Sequence, residues 1–293
     1  MNVFQVRYDK GGGKKSLGAR CGPEAIVQAF KNIPWRGAED GTRHCLLEWK
    51  HVVVSLEGYH TQMQSVFFYQ EHEKPMPFIT LSGDNSCSFE TVRAVARRVE
   101  RVALAVIDAH PDACDTSHDP HASWVRRLWE EEIIMPEKTI FFGIRDWEEK
   151  EAQYIREKKA VVVTSEDIHD ASLHDVTLIS QVCTWRRSLF PWQQEQSLPH
   201  ALVIVVDIDA LDPAYAPGTG VLRAGGLNVR HILSIIKKLC AFPFAVKVGE
   251  ICEVIPSEGN ALRPRADKRP DPCGLTVLAA DAIFRGMIQS LSI

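Results

Sequence analysis

Long hydrophobic runs are missing from this chain. No stretch approaches the ~20 consecutive apolar residues that a membrane-spanning helix needs. Basic runs are missing too, and the formal net charge is −4, so neither nucleic acid nor an anionic membrane surface has an electrostatic claim on it. Met1 to Arg20 is polar and glycine-rich without the apolar centre of a signal peptide, and the expected location is cytoplasmic. Cysteine is present eight times, but as Cys21, Cys45, Cys87, Cys114, Cys183, Cys240, Cys252 and Cys273, with no CxxC pair and no zinc-ribbon spacing. These read as reduced thiols, mostly in or near the core. There is no internal repeat and no low-complexity tract. With 45% hydrophobic and 25% charged residues, the composition is globular and excludes a disordered chain.

What is present is an alternation of short apolar runs with helical patterns. Strands are expected at His51–Ser55, Phe78–Leu81, Val102–Ile107, Thr139–Phe142, Ala160–Val163, Leu202–Val206 and Phe244–Val248. Their Val and Ile content, without polar alternation, marks strands buried on both faces. Helices are expected at Pro23–Lys31, Ser88–Val99, Ser123–Glu132, Glu148–Lys158, Val229–Cys240 and Leu275–Ile288. Strand–helix alternation predicts an α/β fold with a parallel sheet covered by helices. Pro191–Pro199 and Ser257–Pro272 read as irregular, but neither marks a boundary, so residues 1–293 are expected to form one domain.

Three polar motifs directly follow three of these strands: Ser82-Gly83-Asp84-Asn85-Ser86, Asp108-Ala109-His110-Pro111-Asp112, and Asp207-Ile208-Asp209-Ala210-Leu211-Asp212-Pro213. In a parallel sheet, ligands gather outside the carboxyl ends of the strands. Asp108 with His110, and Asp207 with Asp209, are spaced two apart, so an extended strand end would point each pair the same way. Four carboxylates, counting Asp112, together with an imidazole would repel unless a cation neutralised them. An oxygen-rich set with one imidazole suits manganese best, with zinc, iron or nickel left open. Asp84 and Asp212 fit simple turn roles.

These motifs carry a resemblance. DAHPD at Asp108–Asp112 and VVDIDALDPAYAPGTG at Val205–Gly220 resemble the arginase/agmatinase (ureohydrolase) superfamily. SGDNS at Ser82–Ser86 is similar to its GGDHS element, and the segment Gly18–Phe30 to its GxRxGPxAIR element. Phe141–Asp146, Ala224–Leu233 and Val248–Pro256 also match in order. The resemblance implies a three-layer α/β/α fold around a parallel sheet of about eight strands, arginase-like. It implies a metal-dependent hydrolase acting on the C–N bond of a linear amidine, a small guanidino or amidino compound, by attack of a metal-bridging hydroxide. Two Mn²⁺ ions are implied: Asp108 and Asp207 bridging, His110 and Asp209 completing one shell, Asp112 and Asn85 the other. His121 would relay a proton to the leaving amine, with His118 a weaker candidate, and Glu253 would face the planar guanidinium. His121, Glu253 and Asp112 are thus the implied catalytic residues. The family's habit of trimers or hexamers implies a homo-oligomer.

The chain departs from the family pattern at Asn85, where a metal-binding histidine is usual; a neutral amide is the weaker donor, so that half of the site is expected to be weak or empty. Ser82 for Gly and Glu250 for Asp are milder departures. Arg223 replaces a common acidic residue, and either reaches the pocket mouth to meet a substrate carboxylate or stays on the surface. Three functional readings follow: an agmatinase-like enzyme releasing urea and an amine, a formimidoylglutamase-like hydrolase, or a catalytically impaired member with a binding or regulatory role.

Overall fold

The computed structural model describes residues 1–33, 47–52, 77–117, 119–174, 182, 185, 201–262, 271 and 274–292. Eight strands form one sheet: β1 Asn2–Val6, β2 Glu48–Val52, β3 Phe78–Ser82, β4 Val102–Ile107, β5 Thr139–Ile144, β6 Val161–Thr164, β7 Ala201–Asp207 and β8 Val246–Cys252. They are all parallel, in the order β2-β1-β3-β8-β7-β4-β5-β6. The helices are α1 Gly22–Asn32, α2 Ser86–Ala96, α3 Trp124–Glu130, α4 Glu149–Lys158, α5 Ser165–His174, α6 Val229–Cys240, α7 Ser257–Ala261 and α8 Leu275–Leu291. Among the described residues, no helix is long and apolar enough to cross a membrane.

Each central strand feeds two cores. In β4, Ala103, Ala105 and Ile107 join one cluster with Leu202, Ile204 and Val206 of β7. The intervening Val102, Leu104 and Val106 join the other, with Ala201, Val203 and Val205. This is period-two alternation with both faces apolar, which is why the runs read as continuous. On the first face, Ile26 of α1, Ile232 and Ile236 of α6, and Ile283, Phe284 and Met287 of α8 cover the sheet. On the second, Phe89 and Val92 of α2, Trp124 and Leu128 of α3, and Ile155 of α4 do so. The result is the expected three-layer α/β/α sandwich.

Several boundaries moved. The N-terminal segment, read as polar and glycine-rich, contains β1, paired on both sides by β2 and β3. α5 also escaped the sequence reading. The second strand lies at Glu48–Val52 rather than His51–Ser55, whose last three residues fall outside the described set. β8 starts two residues later than expected and continues through Glu250 to Cys252. A glutamate inside a strand is a poor sequence signal. Here it is tolerated because Ser82 Oγ (2.6 Å) and Ser88 Oγ (3.0 Å) both reach its Oε1. Residues 263–270, part of the stretch read as irregular, and all of Pro191–Pro199 also lie outside the described residues.

Candidate metal centre and active-site cavity

The register aligns four adjacent strand ends. Leu81 pairs with Ile251, Ile251 with Val206, and Val206 with Ile107. The residues that follow therefore emerge side by side from β3, β8, β7 and β4. In that register Asp108 is level with Asp207 and Cys252, and Glu253 stands one residue beyond them. That placement was hidden while the strand was expected to stop at Val248.

Convergence comes from tight turns rather than from extended backbone. Asp207 Oδ1 accepts from Asp209 N (2.8 Å) at the head of a one-turn 3₁₀ segment, Ile208–Ala210. Asp108 Oδ1 accepts from His110 N in the same way (2.8 Å). Asp112 (φ 51°) and Glu253 (φ 60°) adopt left-handed backbone, a strained choice for side chains with a Cβ and one that clusters at functional sites. Each is held in place: Asp112 O accepts from Val125 N at 3.1 Å, and Glu253 N donates to Gly83 O at 2.7 Å. Gly83 itself has no room for a side chain, since a Cβ would lie 1.7 Å from Tyr8 O. Asp84 binds the N-terminal loop through Gly11 N (2.6 Å) and caps Ser86 N (3.1 Å), which is a turn role. Asp212 likewise accepts from Ala214, Gly225 and Gly226 N–H groups.

His110 Nδ1 lies 3.2 Å from Asp209 Oδ2 and 3.6 Å from Asp108 Oδ1. Ligand atoms from Asp108, His110 and Asp209 all fall within 4.8 Å of one another, a group able to hold a metal ion. The far nitrogen, Nε2, is 3.4 Å from Asp146 Oδ2. A carboxylate behind a ligating imidazole orients the ring and raises its basicity. Donor chemistry on this side fits a divalent cation. Asn85 is different. Its Nδ2 donates to Asp112 Oδ2 (2.7 Å), Asp207 Oδ2 (3.2 Å) and Asp108 Oδ2 (3.3 Å). Its Oδ1 is turned away, toward Ser88 Oγ (2.8 Å) and Cys252 Sγ (3.3 Å).

Electrostatics express the same demand for positive charge. Burial, and then Asp209, push Asp108 up to about 7. Burial with neighbouring carboxylates raises Asp112 and Asp207 well above the usual range. Burial, then Asp84, takes Glu253 to about 8. Burial opposes a charged His110, yet Asp209 and Asp108 outweigh it and drive the imidazole to about 12. Asp209 is correspondingly lowered, His110 overcoming its desolvation. Such opposed shifts in a cleft mark a functional site.

Above the cluster opens a cavity of about 360 Å³. Asn85, His110, Asp112, Asp207, Asp209, His121 and Glu253 all line it, and Asp108 lies buried beside them. His118 is outside the described residues. Burial and then Lys15 lower the pKa of His121, and its Nδ1 is buried without a partner. Glu253 Oε1 accepts from Ser16 Oγ (2.9 Å) and Asn85 N (3.0 Å), leaving Oε2 buried and unpartnered. Arg223, for which the sequence left two places open, stands half-exposed on the cavity wall, its Nε on Asp146. Lys15 lines the cavity too.

Sequence reading missed several members. Trp124 donates from Nε1 to Asp112 Oδ2 (2.9 Å). Asp146 supports His110, and Ser16 holds Glu253. Arg145 Nη2 donates to the carbonyls of Asp209 (2.7 Å) and Arg223 (2.9 Å), tying the Asp209 turn to the cavity rim. Asp146 and Arg145 stand immediately after β5, the position already singled out for β3, β4 and β7, and that was the available signal.

Residues 1–265 match the model of the Arginase family. The chain belongs to this family. It is 29% identical to the formimidoylglutamase of Bacillus subtilis (strain 168) over 256 residues, 82% of this chain and 75% of that protein. It is 26% identical to an agmatinase of Neisseria meningitidis serogroup C (strain 053442) over 265 residues, 87% of this chain and 79% of that one. The crystal structure of the B. subtilis formimidoylglutamase superposes with a TM-score of 0.78 at 23% identity, covering 100% of this chain and 86% of that chain. Membership makes this an arginase-family hydrolase on an eight-stranded arginase-like fold, in a family that acts on C–N bonds of amidino and guanidino compounds.

Proposed function

We propose that this chain, as one arginase-like domain, is a metal-dependent hydrolase of a small amidino or guanidino compound with an anionic tail, such as a formimidoyl or guanidino acid. The observation that carries the reading is that two cations, Arg223 and Lys15, line the same cavity as the carboxylates of Asp112, Asp207, Asp209 and Glu253, although Asp146, Glu148 and Glu151 also line it and Asp146 pairs with Arg223. A substrate cationic at one end and anionic at the other is matched to that field.

Asp108, His110 and Asp209 would hold the cation, with manganese favoured by the oxygen-rich donor set. When bound, such an ion supplies a water that loses its proton near neutral pH. The protein's own groups do the rest. Glu253 Oε2, free while Oε1 is held by Ser16, accepts from the planar amidinium head and fixes its carbon over the cluster. His121, neutral at rest because burial lowers its pKa, takes a proton at Nδ1 and passes it to the departing nitrogen. Arg223, its Nε engaged by Asp146, offers its remaining N–H groups to the tail. Asp146 meanwhile keeps His110 oriented.

An agmatine-like substrate, the first reading of the motifs, carries a second cation that would face Arg223 and Lys15. The test is a panel assay with Mn²⁺-loaded protein on N-formimidoylglutamate, 4-guanidinobutyrate and agmatine, with formamide or urea as readout. The acids should react with kcat/KM at least about tenfold above agmatine, one like-charge contact at the rim being worth on the order of 1.4 kcal/mol. Arg223→Glu should narrow or invert that ratio. Preference for agmatine, unaltered by Arg223→Glu, would refute the tail assignment. No hydrolysis of any member would refute the enzyme reading and favour a binding role.

A further inference from the structure

We infer that this chain holds a single divalent cation, between Asp108, His110 and Asp209, and that the side-chain amide of Asn85 stands where a second ion would go. The inference rests on the metal-dependent reading above and concerns the number of ions, not the reaction. Four observations carry it. The hydrogens of Asn85 Nδ2 face three carboxylates at once, from Asp112, Asp207 and Asp108, at 2.7, 3.2 and 3.3 Å. An N–H₂ group supplies hydrogens to such oxygens and no lone pair to a metal.

The orientation is held from behind. Ser88 has one hydroxyl proton, and the shorter of its two polar contacts is to Asn85 Oδ1, 2.8 Å against 3.0 Å to Glu250 Oε1. Cys252 Sγ adds a second donor to the same oxygen at 3.3 Å. Turning the amide over would set Oδ1 against the three carboxylates and Nδ2 against Ser88 and Cys252.

Asp112 Oδ2 is already occupied. It accepts from Asn85 Nδ2 at 2.7 Å and from the indole Nε1 of Trp124 at 2.9 Å, two neutral donors on one carboxylate oxygen. His110 Nδ1 likewise faces Asp209 and Asp108, but an imidazole nitrogen that gives up its proton presents a lone pair to a metal, which an amide N–H₂ does not.

Finally, the three departures at Ser82, Asn85 and Glu250 form one connected buried network. Ser82 Oγ donates to Glu250 Oε1 at 2.6 Å, Glu250 meets Ser88, and Ser88 meets Asn85. The amide is thus held by groups that are themselves tied together.

The test is metal analysis on the full-length protein, using Mn²⁺ alone as probe. After saturation and desalting, elemental analysis should give one manganese per chain, and the electron paramagnetic resonance spectrum should be the hyperfine sextet of an isolated ion. Asp112→Asn, which is isosteric, should keep both the count and the sextet; His110→Ala should lose the ion. Two ions per chain with an exchange-coupled spectrum would overturn the inference, and if that protein hydrolyses the panel the enzyme reading survives. Loss of the ion in Asp112→Asn would overturn it too. No ion in the wild type would overturn both the inference and the metal-dependent reading.

Discussion

Replacing Arg145 with leucine removes the guanidinium that binds three separate loops together above the sheet. Nη2 makes its two best bonds to Asp209 O (2.7 Å) and Arg223 O (2.9 Å), and Nε adds a third to Arg223 O at 3.2 Å. Contacts to Gly143, Ala210 and Leu211 carbonyls, all at 3.3 Å, are longer and contribute less. A hydrogen bond to a charged donor is worth ~1.5–3 kcal/mol, and the three best bonds share one rigid group, so they do not add fully. About 3 kcal/mol is the expected loss, close to a third of a typical domain's stability. Arg145→Lys keeps the charge without the planar fork and should recover roughly half of that loss. Urea unfolding followed by far-ultraviolet circular dichroism measures it: the midpoint should fall while the denaturant slope stays constant. The same clamp sets the Asp209 turn, so manganese affinity should drop by about 10–100-fold, the usual effect of losing a group that orients a ligand. A leucine variant within ~0.5 kcal/mol of wild type, with unchanged manganese affinity, would refute the assignment of Arg145 as a clamp.

Two further predictions concern the cavity. Trp124→Phe keeps most of the buried ring but takes the N–H from Asp112 Oδ2; stability should fall by about 2 kcal/mol in urea unfolding, as for one charge-assisted hydrogen bond. For His121, the folded-state pKa lies below the ordinary 6.5 because of burial and Lys15. The folded chain therefore takes this proton later than the unfolded chain, so His121 costs stability as pH falls below 6.5. Activity that needs the neutral imidazole should hold down to that lowered value and then decline. His121→Asn should abolish that acid limb in a pH–rate profile, and an unchanged limb would assign it to another group.

The sheet was legible where apolar runs are long. Val102–Ile107 and Leu202–Val206 need no tertiary information, because strands covered on both faces are apolar throughout. Asp108, His110, Asp207 and Asp209 were legible for a related reason: polar groups that abruptly end such runs stand at the ligand-binding edge. What was hidden depends on partners far along the chain. Glu250 reads as a strand breaker until Ser82 is known to donate to it. The orientation of Asn85 has no sequence signal, since it is decided by Ser88, Cys252 and three carboxylates from two other strands. Arg145 and Asp146 sit in a stretch whose family likeness was noticed, but nothing local says that one grips carbonyls and the other backs a histidine. β1 was missed because five residues containing Asn and Gln carry little pattern without the two neighbours that flank them.

The strand order has a kinetic corollary. Asn85 and Glu253 touch across 168 residues of chain, because β3 pairs with β8. Joining strands so distant requires closing a very long loop, and parallel sheets with such separations fold slowly. Asp108, His110 and Asp112 follow β4, Asp207 and Asp209 stand at the end of β7, and these two strands pair directly, so the carboxylates meet as soon as β4 and β7 do. Asn85 and Glu253 join them only when β8 lies between β3 and β7. A cation that binds this finished cluster and not the unfolded chain stabilises the native state by mass action.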